Sequence, residues 1–84
     1  MKITNTKQLS AYLKDIRLGK NLSQTDVANK VGIRQDTVSS FELRPDSTKM
    51  ETFFQVLSAL DLDFEITHRN PKNDDKNSAW TDEW

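Results

Sequence analysis

No cysteine occurs among the 84 residues, and there are only one histidine, two glycines and two prolines. Without thiols there is no disulfide framework and no thiolate metal site, and His68 alone does not compose an imidazole one. A reducing, cytoplasmic setting suits such a chain. The opening Met-Lys-Ile-Thr-Asn lacks the apolar run of a secretory signal. No apolar stretch approaches the roughly 20 residues that span a bilayer, so no membrane partner is expected. There is no glycine-rich phosphate loop, no nucleophile beside a base and no recurrent carboxylate pair in a folded pocket, so neither enzyme chemistry nor a cofactor is expected.

An excess of charge is lacking too. The formal net charge is −1, with ten Lys/Arg against nine acids in residues 1–69 and two lysines against four acids in residues 70–84. A body so close to neutral meets a polyanion through local clusters of cations rather than bulk charge. Lys20, Lys30, Arg34 and Lys49 are the candidates. A chain of this size forms one domain that buries about 60% of its unfolded surface, which makes a second copy an expected source of stability.

What is present is periodicity. Leu9, Leu13 and Ile16 recur at helical spacing and predict a helix from Thr6 to Lys20, with Asn5 as N-cap and Gln8 three residues on. Asn21 suits the left-handed residue past its end, and Leu22 returns the chain to the core. A second helix opens at Ser23 and runs to Val31; a third spans Gln35 to Leu43. Between them Gly32 supplies a left-handed turn, Ala28 keeps the crossing close, and Ile33 and Val38 turn inward. Together they hold the two helices at roughly 90 to 120°, the angle that offers the later one to a DNA major groove. This is a helix-turn-helix signature, and sequence-specific DNA binding is the leading reading.

Pro45 ends the third helix, and Thr48 with Glu51 reads as a capping box for a fourth. Met50, Phe53, Phe54, Val56, Leu57 and Leu60 make that helix apolar over more than one face, one side for the first three helices and the other for a second copy. From Asp61 to Thr67 the period becomes two, with Leu62, Phe64 and Ile66 alternating against polar residues, which predicts a half-buried strand. It has no partner in the chain, so antiparallel pairing with its counterpart in a homodimer is expected. Phe53, Phe54, Leu57, Leu62, Phe64 and Ile66 are the expected interface. Residues 1–69 form the domain, and residues 70–84 are a polar tail that does not fold alone. Both tryptophans lie in it: Trp80 and Trp84 either dock on a partner protein or fold back or dangle.

The run Ile16-Arg17, Leu22-Ser23-Gln24, Val27-Ala28, Gly32-Ile33, Val38-Ser39, Phe41-Glu42, Met50-Glu51-Thr52-Phe53 and Leu57 to Leu60 resembles the Xre/Cro-type helix-turn-helix repressors. Thr52-Phe53-Phe54, Leu62 to Ile66 and the closing Glu83-Trp84 are similar to HipB-type antitoxins, DNA-binding partners of a HipA-type serine/threonine kinase toxin. The resemblance implies a mainly α, lambda-repressor-like bundle of four or five helices plus one short C-terminal β-strand paired across a dimer. It also implies an antitoxin that represses its own operon and neutralises the kinase. A stand-alone phage-type repressor and a pure protein adaptor are the alternatives.

Site residues follow from motif and chemistry together. The resemblance gives Gln24 a phosphate contact and pairs Arg17 with Glu42 as a structural ion pair. Ser23, Lys30, Thr37 and Lys49 are further phosphate candidates. Arg34 and Gln35, at the front of the third helix, suit bidentate contacts to guanine and adenine. Asp36 either accepts from cytosine N4 or only complements the helix dipole, and Ser39 and Ser40 lie one turn later. Many family members carry Ser or Thr where this chain has Arg34, which does not cap as Ser does, at a cost of about 1 kcal/mol. The expected DNA target is a double-stranded inverted repeat.

Overall fold

The computed structural model describes residues 2–69. Four helices follow one another: α1 (Thr6–Gly19), α2 (Gln24–Val31), α3 (Gln35–Leu43) and α4 (Met50–Ala59), with a 3-10 turn, Pro45–Ser47, between the last two. Trp80 and Trp84 lie outside the described residues.

Most boundaries have a cause within one turn of chain. The Asn5 side chain accepts the Gln8 N–H at 2.8 Å, while the Gln8 side chain reaches back to the Thr4 N–H at 3.0 Å. The Ser23 hydroxyl accepts from the Asp26 N–H and the Asp26 carboxylate accepts from the Ser23 N–H, both at 2.9 Å, a reciprocal capping box that opens α2. Asn21 and Gly32 stand at φ 59° and 70°, the left-handed conformation that stops a helix and redirects the chain. Pro45 has no N–H to continue α3 and instead leads the 3-10 turn. The Thr6 hydroxyl bonds to the Asp46 carboxylate and so ties the start of α1 to that turn.

One local expectation is overturned, and another is not met within a single protomer. Thr48 and Glu51 form no capping box. Lys49 occupies the N-cap of α4 without a side-chain bond, which leaves Glu51 one position too early to reach back, and the Thr48 hydroxyl donates to the Arg44 carbonyl at 3.4 Å instead. The strand expected from Asp61 to Thr67 is not formed within one protomer: the described residues contain no strand. A ladder needs a second backbone about 4.8 Å away, and a period-two pattern alone does not supply it. Asp61, at φ 58°, turns the chain out of α4 into this segment.

All four helices feed one core. Leu13 comes from α1, Val27 and Ala28 from α2, Val38 and Phe41 from α3, and Phe53, Val56, Leu57 and Ala59 from α4, with Leu60 just beyond. Phe53 and Leu57 are each only 6% exposed, so they are taken up by the protomer's own core rather than turned outward. Of the six residues expected at a dimer interface, Leu62 packs on that core, while Phe54, Phe64 and Ile66 keep 46%, 50% and 83% of their surface. The Phe64 ring stands edge-on to Phe53 and Phe54, with centroids 5.4 and 5.7 Å apart, a favoured aromatic geometry.

Candidate nucleic-acid interface

The N-terminal halves of α2 and α3 lie side by side because Gly32 folds one back on the other and Val27, Ala28, Val38 and Phe41 share the core beneath them. Arg34 is the N-cap of α3, and its side chain makes no cap bond. Its guanidinium stands 3.6 Å from the Asp36 carboxylate, with the two side chains 84% and 78% exposed. A pair so open to water is worth about 0–1 kcal/mol, so an acceptor on another molecule displaces it at little cost. Gln35 and Ser40 are exposed, whereas Thr37 and Ser39 are half-buried.

Arg34, Asp36, Thr37, Ser40 and Lys49 border one open groove between the start of α3 and the start of α4. Arg44, the C-cap of α3, joins the same wall as a further cation that periodicity did not single out, since its only sequence signal is its charge. Lys30, in the last turn of α2, is exposed but does not border this groove.

A hydrogen-bond chain runs from the core to the exposed face of α3. Arg17 donates from Nε and Nη2 to the two Glu42 oxygens at 2.7 and 3.1 Å, and from Nη1 to the Leu22 carbonyl at 2.8 Å. Both members of this pair are more than nine-tenths buried, with 8% and 7% of their side-chain surface exposed. Glu42 also accepts from Gln24 Nε2 at 3.0 Å, and Gln24 Oε1 accepts from Gln35 Nε2 at 2.6 Å. The Gln24 amide is thus committed to protein partners. The first backbone N–H groups of α2, on Gln24 and Thr25, precede the first intrahelical bond, from Val27 to the Ser23 carbonyl, and face off the positive end of the helix.

Within the capping box the Ser23 backbone N–H, then its hydroxyl, and more weakly Lys30, hold the Asp26 carboxyl below the ordinary aspartate range. Ser23-x-x-Asp26 is a spacing legible in sequence. The Gln24–Gln35 contact is not, because it joins residues eleven apart on different helices. The described residues hold no cluster of His, Cys, Asp or Glu able to bind a metal ion. None of their helices is long and apolar enough to cross a membrane.

Two helices joined by a left-handed glycine, the later one exposed along its front beside Arg34, Arg44 and Lys49, define a helix-turn-helix domain. The helix-turn-helix family model matches residues 13–66. Over 83 residues the sequence is 32% identical to antitoxin HipB of Escherichia coli K12, covering 99% of this chain and 94% of that protein. Antitoxin HipB of Escherichia coli O6:H1 is 41% identical over 61 residues, which is 73% of this chain and 65% of that one. A chain of the solved HipA-HipB-O2-O3 complex superposes with a TM-score of 0.81 at 36% identity, over 83% of this chain and 99% of its own length. The HipB-O4 20mer complex gives the same values. The protein belongs to the helix-turn-helix family and, within it, to the HipB-type antitoxins.

Proposed function

We propose that this protein is an antitoxin that dimerises, represses its own operon by binding an inverted repeat, and holds a HipA-type serine/threonine kinase in check, in the cytoplasm where chromosome and toxin are both at hand. The observation that carries the reading is the joint one: an α3 whose polar front is exposed beside a cation-bordered groove, in a chain that matches HipB over nearly its full length. Similarity to HipB across both domain and tail favours this over a stand-alone repressor.

In this reading α3 enters the major groove. Arg34 and Gln35 read bases, with Asp36, Ser39 and Ser40 beside them. The α2 N-terminus with Ser23 and Gln24, together with Lys30, Thr37 and Lys49, contacts phosphates. Phe54, Phe64 and Ile66 cover one another's counterparts in the dimer, and the 62–67 segments pair there, which supplies the ladder that one protomer lacks. Two such helices read half-sites about 34–36 Å apart, or a multiple of that.

Operator selection from random duplexes tests the DNA half. Arg34→Ala or Gln35→Ala is expected to cost about 1–3 kcal/mol on the selected site and to flatten the preference at one position. Equal losses on cognate and random DNA would remove the residue from the reading face. Co-purification from the native host tests the other half: recovery of a serine/threonine kinase supports it, and a dimer that binds operator but captures no kinase leaves the stand-alone repressor.

A further inference from the structure

We propose that Glu42 is a positioning residue for base recognition: acting through Gln24, it fixes which edge of the Gln35 amide faces the DNA. This rests on Gln35 reading a base. An ionised carboxylate only accepts hydrogen bonds, so the end of Gln24 that meets Glu42 is its NH2, at 3.0 Å. Gln24 Oε1 is thereby turned toward Gln35, and a carbonyl oxygen only accepts, so Gln35 meets it with its own NH2, at 2.6 Å. Two amides that otherwise tolerate a half-turn about their last bond are given one polarity. Arg17 holds the origin still, because its guanidinium occupies both Glu42 oxygens and is itself tied to the Leu22 carbonyl.

At the outer end, Gln35 is left with Oε1 and one N–H. An acceptor beside a donor is the complement of adenine N6–H and N7. The reversed amide presents two N–H groups instead, the complement of guanine N7 and O6. A carboxylate buried between α1 and α3 thus selects adenine over guanine at a base pair it does not touch, and the preset amide gives up less rotamer freedom on binding.

The test uses the full chain. Operators are selected with the wild type, and the base pair read by Gln35 is the one whose preference vanishes in Gln35→Ala. Affinities are then measured with adenine or guanine at that position for wild type, Glu42→Gln and Gln24→Met. The adenine-over-guanine ratio is expected to fall about tenfold in both variants, within the roughly 1–3 kcal/mol carried by one bidentate contact. Glu42→Gln is expected to keep its affinity for random DNA. Should Glu42→Gln fail to fold, Gln24→Met decides alone, since it leaves the Arg17–Glu42 pair in place and a ratio cancels any uniform loss. A wild-type ratio in the folded variants, or a wild type that does not prefer adenine there, overturns the proposal while the base-reading role of Gln35 stands. If no position responds to Gln35→Ala, that role falls and the relay with it.

Discussion

Arg17 and Glu42 are enclosed, whereas Arg34 and Asp36 stand in solvent, and burial decides what each pair contributes. Removing one member of a buried pair strands the other as an uncompensated charge, which costs about 3–5 kcal/mol; an exposed pair is worth about 0–1 kcal/mol. Arg17→Ala is therefore expected to lower the unfolding free energy by about 3–5 kcal/mol and Asp36→Ala by under about 1, read by urea titration. Similar losses in both would contradict the distinction. Asp26 carries a pH signature of the capping box. Its carboxyl is lowered in the folded state, chiefly by the Ser23 N–H, so its contribution is complete above the ordinary value of 3.8 and is lost as pH falls through the lower folded-state value. NMR titration of the Asp26 carboxyl should give a midpoint below 3.8, and a midpoint at or above it would mean that the box does not hold the carboxylate.

At the scale of the elements, helix ends carry the specification. A Cβ added at Gly32 meets no atom within 4 Å, so the only objection to a side chain there is its φ of 70°. Gly32→Ala is expected to cost about 1–2 kcal/mol in thermal unfolding, and Gly32→Asn less, because Asn tolerates the left-handed region. A loss well beyond that would point to a clash that the geometry does not contain. Both helices that border the candidate DNA groove begin on a cation without a side-chain cap, Arg34 for α3 and Lys49 for α4. Local stability is forgone there in favour of charge. Lys49→Ser is accordingly expected to raise stability by about 0.5–2 kcal/mol by capping α4, while weakening binding to all DNA sequences alike. A variant that gains stability with undiminished affinity would take Lys49 off the phosphate path.

For the molecule as a whole, Phe54 on α4 and Phe64 and Ile66 in the segment after it keep apolar surface exposed, and residues 62–67 form no strand within one protomer. In the proposed dimer, one carboxylate at position 64 enters a shared apolar layer from each copy. Phe64→Asp should then abolish the dimer seen by sedimentation at micromolar concentration, and a monomeric wild type with an ordered domain would sink the idea.

Chain order alone set the helix-turn-helix. Asn5, Asn21, Ser23, Gly32 and Pro45 act within about one helical turn of themselves, through caps and left-handed turns that need no distant partner, and each sits where its chemistry predicts. The front of α3 was legible for the same reason, since residues at the start of a helix after such a turn are held out from the core. Tertiary structure decided the rest. An α4 apolar over several faces does not announce which are filled from within, and only packing placed Phe53 and Leu57 inside with Phe54 outside. The alternation of Leu62, Phe64 and Ile66 states a preference for extended backbone, but a ladder exists only when a second backbone is present. The chain from Arg17 through Glu42 and Gln24 to Gln35 joins three helices across gaps of 25, 18 and 11 residues. Hydrogen bonds are made by proximity, and proximity between residues so far apart in sequence is settled by the core that brings their helices together.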